Sequence, residues 1–121
     1  MSLSKRDTAR IERHLAATLT EACKIATAEI TGFGWVTHEV NHAQFQQSLR
    51  VIWVFNTEAS KQQAILVGQD KRIRELTAVA LNDVGMERQA VDRCVRFDSE
   101  EECHLQDGGD WRRRLARLYA T

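Results

Sequence analysis

Apolar positions in the first quarter of the chain recur at three- and four-residue steps: Ile11, Leu15, Leu19, Ala22, Ala26 and Ile30. That period places one apolar stripe along an α-helix and predicts a helix over residues 4–30. Ser4 and Asp7 have the spacing of a capping box, and Thr31-Gly32 supplies the stop. The pattern then changes to strands. In residues 33–40, alternation sets Phe33 and Trp35 on one face and Val36, His38 and Val40 on the other. Residues 49–55 are almost wholly apolar, with Leu49, Val51, Trp53 and Phe55 opposite Ile52 and Val54, the mark of a central strand. The connection from Asn41 to Ser48 carries one large apolar residue, Phe45.

Helical spacing returns after Asn56-Thr57, either of which can cap the next helix. One helix is predicted to about Val67, an interruption at Gly68-Gln69-Asp70, and a second helix to about Val84 with Ile73, Leu76, Thr77, Ala80 and Leu81 on one stripe. Gly85 ends it. Val91, Arg93, Val95 and Phe97 alternate, predicting a third strand over residues 91–97. A short helix follows over residues 98–106, opened by Ser99 and Glu102. Asp107-Gly108-Gly109 breaks it, and Asp110 caps a last helix bearing Trp111, Leu115, Leu118 and Tyr119. The order is αββααβ with a helical tail. It predicts an α+β fold in which helices cover one face of a three-stranded mixed sheet, the third strand parallel to the second. The 121 residues suit a single domain, 1–121, with 98–121 as a helical C-terminal extension.

Composition narrows the function classes. Lys plus Arg and Asp plus Glu each total 17, so the formal net charge is zero. With 43% hydrophobic and 28% charged residues, the balance is that of a globular chain. No apolar run approaches the roughly 18 residues of a membrane span, and the polar start Met1-Ser2-Leu3-Ser4-Lys5 lacks a signal-peptide core. Three cysteines, Cys23, Cys94 and Cys103, are too few and odd in number for a disulfide framework, which points to a reducing, cytoplasmic setting.

The element order and the stretch Val67-Gly68-Gln69-Asp70-Lys71-Arg72-Ile73-Arg74-Glu75-Leu76-Thr77 resemble the type II KH fold of ribosome-binding factor A and small-subunit ribosomal proteins. The likeness spans residues 5–97. It implies RNA or a ribonucleoprotein as partner, met at the turn between the two central helices. Gly68 matches the first glycine of the family's Gly-x-x-Gly turn, whereas Lys71 stands where the second would be. That lysine can attract a phosphate but lacks the close backbone approach a glycine allows. The resemblance makes Lys61, Gly68, Lys71, Arg72 and Arg74 the candidate nucleic-acid residues. The chain is also similar to a family of small uncharacterised bacterial proteins, some labelled Fis-type transcriptional regulators. The shared features are Lys5 to Glu12, Val54-Phe55-Asn56-Thr57, Phe97 to Glu101 and Gly109-Asp110-Trp111.

Other candidate chemistry stands beside a structural duty for the same residues. His38 and His42 on one strand would stand about 13 Å apart, too far to share an ion unless the turn folds back. The cysteines lack an activating base, and Glu100, Glu101 and Glu102 disfavour a Cys103 thiolate. Those acids, with Asp98, Asp107 and Asp110, sit where helix starts favour negative charge. No nucleophile–base pair, phosphate loop, metal set or cofactor motif emerges, so a non-enzymatic binding domain without cofactor is expected. Arg112, Arg113, Arg114 and Arg117 form a second basic patch. The helix–Gly-turn–helix around it outlines a DNA-binding pair, opposed by the acidic helix that would meet phosphates. A third reading is a protein-interaction or homodimer module. The first helix, about 40 Å long, overhangs a domain about 36 Å across.

Overall fold

The computed structural model describes residues 4–120, so the start Met1-Ser2-Leu3 lies outside the described residues. Its elements are α1 (Lys5–Glu29), β1 (Phe33–Glu39), a 3-10 turn (His42–Gln44), α2 (Phe45–Ser48), β2 (Arg50–Phe55), α3 (Glu58–Leu66), α4 (Gln69–Asn82), α5 (Arg88–Cys94), β3 (Val95–Ser99), α6 (Glu100–Asp107) and α7 (Trp111–Leu118). The fold is α+β, around one mixed sheet of order β1-β2-β3. β1 pairs antiparallel with β2, and β2 pairs parallel with β3.

The caps are those the spacing predicts. Ser4 accepts the Asp7 N–H at 3.1 Å, Thr57 the Ser60 N–H at 3.1 Å and Ser99 the Glu102 N–H at 3.1 Å. α1 stops at Glu29 with Ile30 extended, and Gly32 turns the chain into β1 with φ of 82°; a Cβ there would lie 2.6 Å from the Ser60 side chain, so only glycine fits this turn. The core lies between one sheet face and the helices α1, α4 and α5. Leu15, Leu19, Ala26, Val51, Trp53, Phe55, Ile73, Leu81 and Val91 meet there. The Trp53 indole N–H donates to Thr77 Oγ1 at 3.0 Å, and Thr77 donates to the Ile73 carbonyl at 2.7 Å, so the polar atoms inside the core are satisfied.

Three expectations are corrected. Residues 91–94 are helical: Ala90, Val91 and Cys94 are buried at helical spacing, and Cys94 Sγ donates to the Ala90 carbonyl. The alternation from Val91 to Phe97 straddles the end of α5, and β3 begins only at Val95. Because β3 continues to Ser99, Asp98 is a strand residue and α6 opens at Glu100. Phe33 and Trp35 do not share a face. The register shifts between them, Phe33 pairing with Phe55 and Trp35 with Val54. The bulge at Gly34 inserts one residue and re-aims all that follow, so Trp35 leaves the core face and Val36 packs onto it.

The opposite sheet face carries Trp35, Ile52, Val54 and Asp98, and the C-terminal helices close over it. Trp35 and Trp111 meet edge to face at 4.8 Å. One carboxylate joins them: Glu100 accepts the Trp35 indole N–H at 2.5 Å and the Trp111 indole N–H at 3.0 Å. Ile52 and Val54 are thereby fully buried, which is why β2 is apolar on both sides. No helix among the described residues is long and apolar enough to cross a membrane.

Candidate nucleic-acid interface

The turn from α3 to α4 exposes Val67, and Gly68 beside it is half-buried. Gly68 adopts φ of 86° as the N-cap of α4 and offers no side chain to cap it. A Cβ at Gly68 would meet nothing within 4 Å, so the backbone here is open to approach. Of the five residues assigned to this interface, the structure sorts four by their partners. Lys61 is held by Glu58 at 2.6 Å, and Glu58 also accepts the Ser99 hydroxyl at 2.9 Å. Arg72 is gripped by both oxygens of Glu29, at 2.8 and 3.2 Å, and by Glu75 at 3.3 Å. Those contacts hold Lys61 beside α6 and Arg72 beside α1. Arg74 lies 5.7 Å over the Phe97 ring and 3.6 Å from Asp92. Lys71 is exposed and has no ion pair among the described residues.

Lys71 and Arg74 share a cleft of about 210 Å³ between α4 and α5, whose third cation is Arg88. Ala78 and Val91 supply its apolar lining, and Glu75 and Asp92 its acids. Sequence reasoning missed Arg88 because it lies between the helix ended at Gly85 and the strand predicted from Val91, in neither element. Helical spacing of Ala90, Val91 and Cys94 is the signal that would have found it.

The second basic patch is arranged differently. Arg114 is buried, and its guanidinium donates to Asp98 at 2.7 and 2.9 Å and to Asp107 at 2.8 Å. Arg117 donates to the same Asp107 at 2.7 Å, and Arg113 approaches it at 3.9 Å. Arg112 is exposed. Tyr119 completes the cluster, its hydroxyl donating to Asp98 at 2.6 Å. Burial alone would raise the Asp98 carboxyl, but donation from Arg114, Tyr119 and the Ser99 N–H outweighs it and holds the group below its ordinary range. Arg117 and Arg114 hold Asp107 down against the opposing pull of desolvation. Burial, then the Asp98 charge, pushes the Tyr119 phenol well above its usual value. This buried network fastens α7 to the sheet. Of the four arginines that a DNA-reading helix would present, it takes Arg114 out of solvent altogether.

The remaining candidates have structural partners. The turn after β1 does fold back, so His38 and His42 reach the two oxygens of Glu12 at 2.8 and 2.7 Å. Burial opposes ionisation of Glu12, yet these contacts keep its carboxyl lowered. Among the described residues no group of three His, Cys, Asp or Glu side chains is arranged to hold a metal ion. Burial pushes the Cys94 thiol up against the pull of Arg50, Arg93 and Arg96. Cys103 is likewise raised, first by burial and then by the acids around it. Glu101 accepts the Glu58 backbone N–H at 3.0 Å and so caps α3 across space, while Asp110 caps α7 through the Arg113 N–H at 3.1 Å. The acidic run therefore joins helix ends to one another.

Comparison with known proteins returned no matching family model, no matching curated protein and no matching solved structure.

Proposed function

We propose that the chain is a non-enzymatic cytoplasmic domain that binds RNA or a ribonucleoprotein through the cleft between α4 and α5. The observation that carries this reading is the convergence of Lys71, Arg74 and Arg88 on one cleft, next to the open Gly68 turn. Three cations within one helix–helix cleft can follow successive phosphates of a single strand. The apolar floor of Ala78 and Val91 offers a surface for a base or sugar. The β1-β2-β3 sheet, with its antiparallel and parallel strand pairs, supports the KH resemblance as a fold-level analogy, although the short α2 between β1 and β2 and the extra helix α5 before β3 are additions to the αββααβ order. Three free thiols, two of them buried, accord with a reducing compartment.

Glu75 and Asp92 share the cleft, so affinity rests on few phosphates and is sensitive to salt. The test is fluorescence anisotropy of a labelled single-stranded RNA at stepped salt. Three neutralised phosphates give a slope of about −2 in log K against log salt. The variant Lys71→Ala/Arg74→Ala/Arg88→Ala should bind at least about tenfold more weakly at low salt, with a flatter slope. Absence of binding at low salt, or equal binding by the variant, overturns the reading.

A further inference from the structure

The other flank of α4 carries a second surface of different character. α1 and α4 lie side by side and run antiparallel, since Arg72 at the start of α4 grips Glu29 at the end of α1. Between them lies an open groove of about 510 Å³. α1 contributes positions 14, 18, 21 and 25 to it, and α4 contributes positions 72, 76, 79 and 83. Both sets repeat with the same 4-3-4 spacing, which keeps each on one line of its helix: His14, Thr18, Glu21 and Ile25 on α1, and Arg72, Leu76, Val79 and Asp83 on α4, a mixed polar and apolar stripe. Small residues, Ala17, Ala22 and Ala80, form holes in the lining. Ile25 and Val79 stand as knobs, exposed by 43% and 71%.

We propose that this groove is a homodimer interface, in which two copies of the α1–α4 pair form a four-helix bundle. The charges at the two ends of the α4 stripe select a second copy as occupant. Arg72 and Asp83 sit at opposite ends of the α4 stripe, about 16 Å apart along the axis. A twofold axis in the interface, perpendicular to the helices, lays α4 antiparallel on its counterpart. Arg72 then faces the partner subunit's Asp83, and Asp83 faces the partner subunit's Arg72. Asp83 has no ion pair among the described residues. Arg72 uses three of its five N–H groups on Glu29 and Glu75, leaving two to donate. The same rotation brings Val79 onto the partner subunit's Leu76. An unrelated helix of one charge sign would leave one end of the stripe unmatched, whereas an identical copy matches both. Zero net charge removes long-range repulsion between copies.

Sedimentation of the full chain from about 1 µM to about 1 mM tests this. A monomer–dimer equilibrium within that range is expected, and Val79→Arg should raise its Kd at least about tenfold while leaving unchanged the melting temperature measured at a concentration where both proteins are monomeric. Val79 is exposed, so this variant folds irrespective of the proposal; Ile25→Arg provides the same test on α1. The charge assignment has its own test. Arg72→Asp and Asp83→Arg should each be monomeric alone, yet form a one-to-one heterodimer when mixed, because only the mixture pairs opposite charges at both ends. A monomer at every concentration, a dimer indifferent to Val79→Arg, or no association on mixing overturns the proposal.

Discussion

The helices α4 and α7 carry the two basic runs of the chain, and the fold treats them in opposite ways. On α7, Arg114 is only 5% exposed and is bound by two carboxylates, while Arg117 shares one of them. On α4, Lys71 stays in solvent and Arg74 leans over an aromatic ring beside an acid that is itself exposed. The difference arises in the acids rather than in the bases. Asp98 lies on an inner strand face and Asp107 at the buried end of α6, so pairing with them draws α7 inward. Asp92 and Glu75 lie on outer helix faces, where an ion pair contributes about 0 to 1 kcal/mol and leaves the cation accessible. An arginine run therefore serves as a fastener or as a contact surface according to where its carboxylates sit.

The comparison breaks most sharply at Asp98. Asp98→Asn leaves the buried Arg114 charge half compensated, and loss of one partner of such a pair costs about 3 to 5 kcal/mol. Chemical denaturation of wild type and variant measures it; a change under about 1 kcal/mol would place the pair in water instead. The pH dependence has a fixed sign. Asp98 and Asp107 are lowered in the folded state, so their contribution is fully present above the unfolded carboxyl value. It is lost as pH falls below about 4 through the folded values. Thermal melts from pH 7 to pH 3 should show a steep drop below about pH 4 that is shallower in Asp98→Asn.

Smaller effects separate the two helices further. Gly68→Ala imposes a left-handed backbone on a residue with a Cβ, and a cost of about 1 kcal/mol is expected from that alone, since nothing lies near enough to clash. Lys71→Ala should change stability by less than about 0.5 kcal/mol while weakening RNA binding. Lys61→Ala should leave RNA affinity unchanged, because Glu58 holds that cation beside α6, away from the cleft. Equal losses of RNA affinity at Lys61 and Lys71 would erase the distinction drawn from their partners.

Much of the architecture was legible in local pattern. The stripe from Leu15 to Ile30, the two-sided apolarity of β2 and the three Ser or Thr caps follow from residue spacing and chain chemistry. The misreadings have one cause: each depends on a non-local partner. Trp35 leaves the core face because Gly34 bulges against β2, and alternation along β1 alone carries no trace of a bulge. Val91 and Arg93 fit strand alternation as well as they fit α5, and packing of Val91 and Cys94 into the core decides for the helix. The candidate site was half legible. Lys71 and Arg74 follow from the KH-like stretch, whereas Arg88 enters the cleft only once α5 exists. That Arg114 is buried follows from Asp98 being in a strand sixteen residues earlier, which helical periodicity does not report.

The central claim is that α4, and not α7, presents cations to a ligand. Amide and side-chain NMR shifts of the chain titrated with a short single-stranded RNA at low salt test it most directly. The account predicts perturbations concentrated at Gly68, Lys71, Arg74, Arg88 and Val91, with the Asp98–Arg114–Tyr119 network unmoved. Shifts concentrated at Arg112, Arg113 and the surface of α7, with the α4–α5 cleft silent, would contradict it.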